Sequence, residues 1–102
     1  MTHRDLKAIG KDIEEIDRKI FEAIARRIAL SLEVERVKRA TSDPIVRQEI
    51  EKDRMRRACA WALELDIDPH LGQALQHLLI NGSRKAQLIA RETAIARPFA
   101  PR

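Results

Sequence analysis

Apolar residues recur at Leu6, Ile9, Ile13, Ile16, Ile20, Ile24, Ile28 and Leu32, then at Val34 and Val37. Steps of three and four are the period of an α-helix with one apolar face. Glutamates precede cations by four at Glu14–Arg18, Glu15–Lys19, Glu22–Arg26 and Glu35–Arg39. On a solvated helix face each such pair adds roughly 0.3 kcal/mol. The pattern predicts a first helix over residues 5–39, ended by Thr41-Ser42-Asp43-Pro44. Asp43 before Pro44 has the form of an N-cap with proline in the first turn. A second helix therefore starts between Pro44 and Glu49. It is taken as 45–65, with Met55, Ala58, Ala62 and Leu65 as its apolar positions and Cys59 in the core. Asp68-Pro69 is a stronger cap of the same kind. It opens a third helix over 69–95 that carries Leu71, Leu75, Leu78, Leu79, Ala86 and Ala90. Residues 97–102 hold two prolines and read as a frayed tail.

The first helix is too long for its chain. About 34 residues at 1.5 Å each span roughly 50 Å, whereas a compact domain of this size has a radius of gyration of about 13 Å. Two arrangements answer this: a kinked helix in a monomeric bundle, or an intertwined homodimer in which each long helix packs on its partner's. The second covers the whole stripe and is the expected one. With 102 residues there is a single domain, 1–102. Only 3% aromatic residues, three glycines and four prolines argue against an all-β fold. The expected class is all-α, a three-helix protomer with a very long first helix.

Lys and Arg outnumber Asp and Glu by 20 to 16, a net charge of +4, which points to an anionic partner. The basic residues Arg84, Lys85, Arg91, Arg97 and Arg102 lack interleaved aromatics and a helix-turn-helix pattern. No nucleic-acid partner is expected. No apolar run is long enough for a membrane span or signal peptide, and Cys59 has no second cysteine to pair with. A cytoplasmic protein without a membrane partner is expected. His70 and His77 have no third ligand at metal spacing, so no metal is expected.

Charges on the apolar stripe are more informative than charges on a solvated face, because burying one alone is costly. Arg27 sits beside Ile24 and Ile28. Lys38 follows three turns later, within about 20° of the same direction. The pair either snorkels to the surface or faces a shared pocket. Ser83 and Gln87 lie four apart on the side of Leu79. Arg47 and Glu51 lie four apart on the second helix.

Taken in order, IEEID, IARRIALSLEVERVKR, a proline-containing break, a helix bearing a glutamate, and a helix with SRKAQ resemble the all-helical class of chorismate mutase, over about Leu6 to Leu88. The resemblance implies an intertwined dimer with two equivalent sites. It also implies rearrangement of chorismate to prephenate, a [3,3] shift on the route to Phe and Tyr that needs no cofactor. Carried over residue by residue, Arg27 grips a substrate carboxylate and Lys38 contacts carboxylate and ether oxygen. Gln87 donates to the ether oxygen, Glu51 binds the ring hydroxyl, and Ser83 contacts a carboxylate. Arg27, Lys38 and Gln87 are the catalytic set. Asp17 matches a recurrent structural aspartate.

The chain departs from the family pattern at two cations. An arginine near the start of the first helix, which reaches into the other protomer's site, is replaced by Gly10, with Lys7 the nearest substitute. A cation of the second helix is replaced by Ile50, with Arg47 one turn back. Lysine is a poorer fork than arginine for a carboxylate. The departures keep alternatives open on the same fold: an isochorismate-pyruvate lyase, a mutase for an amino analogue of chorismate, or a weak or non-catalytic dimer that needs a partner protein.

Overall fold

The computed structural model describes residues 4–45 and 47–96. The expected tail, 97–102, lies outside them. Three helices follow in order: α1 (Leu6–Ala40), α2 (Gln48–Glu64) and α3 (Pro69–Ala96). Asp5 caps α1, its carboxylate accepting from the Ala8 N–H at 2.8 Å. Asp68 caps α3, accepting from the His70 N–H at 2.9 Å with Pro69 in the first position.

α2 begins later than residue 45, and Asp43 does not cap it. The Asp43 carboxylate is taken by the Thr41 hydroxyl at 2.7 Å and by Arg47 at 3.5 Å. Arg47 stands at the N-cap position and makes no side-chain cap.

The ends of α1 and α2 are built alike. Ser42 and Asp66 take the left-handed conformation, at φ 59° and 57°. The Asp43 N–H then reaches back to the Lys38 carbonyl, and the Ile67 N–H to the Ala62 carbonyl, each at 2.7 Å. This is the Schellman closure, made here with non-glycine residues at a cost of about 1 kcal/mol each. At the end of α1 it folds the connecting loop back over the Lys38 turn.

α3 packs on both α1 and α2, which do not pack on each other. The α2–α3 seam is made of small residues. Ala58 and Ala62 are buried, and a Cβ at Gly72 would meet the Ala62 Cβ at 3.0 Å, so glycine permits this approach. Cys59 is half-buried against Gln73 on the same seam.

The molecule measures 65 × 34 × 15 Å, one helix layer thick, with a radius of gyration of 18.5 Å. Among the described residues of a single chain only Ala58, Ala62 and Ile80 are buried apolar residues. The stripe Leu6, Ile9, Ile13, Ile16 and Ile20 is uncovered, with Leu6 87% exposed. Among the described residues no helix is long and apolar enough to cross a membrane.

Candidate functional site

Because α1 and α2 stand apart on either side of α3, a cleft opens between them with α3 as its floor. Helical spacing decides what faces it. On α1 the lining residues Arg27, Leu30, Ser31, Val34 and Lys38 repeat at three, four and seven. Arg47, Ile50, Glu51 and Arg54 do the same at the start of α2, and Ile80, Ser83, Arg84 and Gln87 on α3. Ile45 of the folded-back loop closes one end. The cavity holds about 280 Å³, at the small end for a ligand site.

Arg27, Lys38 and Gln87 are anchored by the protein and keep donors to spare. The Arg27 guanidinium donates through Nη1 to the Leu79 carbonyl at 2.9 Å and to the Ser83 hydroxyl. Lys38 Nζ donates to the Ile45 carbonyl at 2.9 Å, using one of three N–H groups. Gln87 Nε2 donates to the Ser31 carbonyl at 2.8 Å, which leaves the second amide N–H. Ser31 is itself held by the Arg27 carbonyl at 2.9 Å. Glu51 pairs with Arg84, whose Nε is buried without an acceptor.

The cleft is strongly positive. Five cations line it, Arg27, Lys38, Arg47, Arg54 and Arg84, against the single carboxylate of Glu51. Burial pushes the Arg27 pKa below its ordinary value, and the positive charge of Arg54 pushes it further. Burial also lowers that of Lys38. Arg47, Arg91 and Arg54 add to this, while Asp43 works against it. A bound anion would relieve all of these costs at once.

Behind Lys38 lies the most buried side chain among the described residues. Glu35 is 1% exposed and accepts from Arg91 Nε at 3.2 Å, with Arg39 at 3.7 Å. Arg91 also donates to the Asp43 carbonyl at 3.2 Å, tying α3 to the loop that carries Ile45. Glu35 was expected on a solvated face as an i,i+4 partner of Arg39. The third participant, Arg91 of α3, is what makes its burial tolerable.

Arg27, Lys38, Arg47, Glu51, Ser83 and Gln87 therefore share one cavity. Lys7 does not line it: it is exposed on the first turn of α1. Sequence reasoning missed Arg54, although its place four after Ile50 and seven after Arg47 puts it on the same face. It also left Arg84 and Arg91 in a basic surface group, whereas both turn inward onto carboxylates of other helices. Among the described residues no cluster of His, Cys, Asp or Glu could hold a metal ion.

No solved structure matches the chain. A chorismate mutase of Methanocaldococcus jannaschii is 35% identical over 85 residues, covering 80% of this chain and 83% of that protein. The family model of chorismate mutase type II matches residues 9–88, which takes in every residue of the cleft. The chain thus belongs to the chorismate mutase type II family.

Proposed function

We propose that the chain converts chorismate to prephenate in the cleft between α1, α2 and α3, serving the synthesis of aromatic amino acids. One observation carries this reading. Six side chains scattered from Arg27 to Gln87, each expected to contact substrate, line one small basic cavity.

The reaction is internal to one molecule. The ether C–O bond breaks while a C–C bond forms, and no proton or electron is exchanged with the protein. The side chains have two tasks: to hold the substrate in a compact chair, and to meet negative charge growing on the ether oxygen. Arg27 and Ser83 bind one carboxylate. Lys38 spans carboxylate and ether oxygen with its two free N–H groups. Gln87 turns its remaining amide N–H to the ether oxygen and, being an amide, does so at any pH. Glu51 accepts from the ring hydroxyl once Arg84 yields to it. Because these donors are already fixed by Leu79, Ile45 and Ser31, little reorganisation is left for the reaction to drive.

The working unit is a homodimer. Its support is the uncovered stripe Leu6 to Ile20 on a helix of 35 residues, which a second copy would cover. Lys7 then belongs to the partner's cleft. A cytoplasmic location is supported by the lone, unbridged Cys59.

Purified protein supplied separately with chorismate and isochorismate tests the function. Prephenate from chorismate is the expected result. Pyruvate with salicylate from isochorismate would make it a lyase, a rearranged amino analogue would change the substrate, and turnover of none would leave a non-catalytic homologue.

A further inference from the structure

We propose that Arg54 is a substrate ligand of this cleft, binding the second carboxylate of the dianion across from Arg27. The inference rests on the chorismate reading and adds to it a residue from α2.

Four of the five cleft cations already have an acceptor in the protein. Arg27 has the Leu79 carbonyl and Ser83, Lys38 has the Ile45 carbonyl, Arg47 has Asp43, and Arg84 has Glu51. Arg54 lines the same cavity with no hydrogen-bond acceptor or ion pair among the described residues. The neighbouring carboxylate, Asp53, is taken up by Arg56 and Arg57 on the outer face of α2. Arg54 is thus an exposed cation on the cleft wall whose charge has no partner among the described residues.

That charge is felt across the gap. Arg54 stands on the α2 wall, and it disfavours the protonated forms of Arg27 and Lys38 on the α1 wall. Three like charges from two walls press on one space, which is the arrangement that a dianion between them resolves. A guanidinium suits a carboxylate better than an ammonium does, because its planar fork can donate twice.

Position supports the assignment. The second helix presents the apolar Ile50 to the cleft, with no charge to offer an anion. Arg54 is one turn further on the same face, three after Glu51. Arg47, one turn back, is the other candidate for that role, but its charge is held by Asp43 at 3.5 Å. The second carboxylate is then gripped within the same chain, and Lys7 of a partner is not needed for it.

The test compares the full chain with Arg54→Ala, Arg54→Lys and Lys7→Ala. Steady-state kinetics with chorismate and calorimetric titration with prephenate, the dicarboxylate product, are the two readouts. Arg54→Ala should raise KM and the prephenate Kd at least tenfold, lower kcat less, and leave the melting curve in place. Arg54→Lys should recover part of the affinity, since it restores charge without the fork. The inference is overturned if Arg54→Ala stays within twofold of the parent on both readouts, or if Lys7→Ala causes the larger loss. Should the parent bind prephenate without turning over chorismate, the catalytic reading fails while the titration of Arg54→Ala still decides this one. A parent that neither turns over chorismate nor binds prephenate overturns both.

Discussion

The two halves of α1 share one apolar stripe and differ in burial. From Leu6 to Phe21 the helix carries an apolar stripe that the single chain leaves in the open, with Ile13 55% and Phe21 72% exposed. From Arg27 to Arg39 the stripe continues with Arg27, Ser31 and Lys38 turned to the cleft, and there it holds the deepest side chain among the described residues, Glu35. The apolar stripe runs through both halves, so hydrophobicity alone would treat them alike. The difference lies in what each half faces. The second half has α3 beside it, offering Ser83, Gln87 and Arg91 as partners. Among the described residues the first half has no element of its own chain covering it. Burial here follows the supply of partners, and the proposed homodimer would seat a second copy on the half without one.

The largest expected effect comes from spoiling the first half. Ile13→Asp puts a charge at the centre of the stripe, twice per symmetric dimer. Losing two buried isoleucines at about 2 kcal/mol each should weaken dimerisation at least a hundredfold and give monomers in sedimentation equilibrium. An unchanged dimer would mean that the stripe is not the interface.

The matching change in the second half is Glu35→Ala, which strands Arg91 and Arg39. Breaking a buried pair by removing one partner costs about 3 kcal/mol. Urea unfolding at fixed protein concentration should show that loss, because dimer stability depends on concentration. A loss under 1 kcal/mol would mean that Glu35 is not the tie between α1, α3 and the loop. The smallest effect is a gain. Gly10 lies in the exposed half and a Cβ there would meet nothing within 4 Å. Gly10→Ala should therefore stabilise by about 1 kcal/mol through helix propensity, read as a higher melting temperature. A decrease would place the Gly10 surface inside a close-packed interface.

The same contrast explains how much of the molecule was legible in the sequence. Helices show their own period, so the long α1, the break after it and the Asp68-Pro69 cap could all be read from one stretch of chain. Arg27 and Lys38 stood out because they share a direction on the apolar stripe, and Ser83 and Gln87 because they lie one turn apart. What a single helix pattern cannot display is a partner on another helix. Glu35 looked solvated because only Arg39 was in view, and Arg91 arrives from α3. Arg84 looked like surface charge because Glu51 lies 33 residues away. The start of α2 at Gln48 falls within the expected Pro44 to Glu49 but later than residue 45, because Asp43 spends its carboxylate on Thr41 and Arg47 instead of a helix N-terminus.

The central claim is that the polar half of α1 does the chemistry. It is tested most directly by the rate of prephenate formation from chorismate for the parent chain and Lys38→Ala, measured side by side. Loss of a donor to the developing oxyanion costs about 100- to 1000-fold in comparable sites. Prephenate from the parent, with kcat/KM reduced at least a hundredfold in a folded Lys38→Ala protein, is the expected outcome. Equal rates for the two proteins, or no prephenate from the parent, would contradict it.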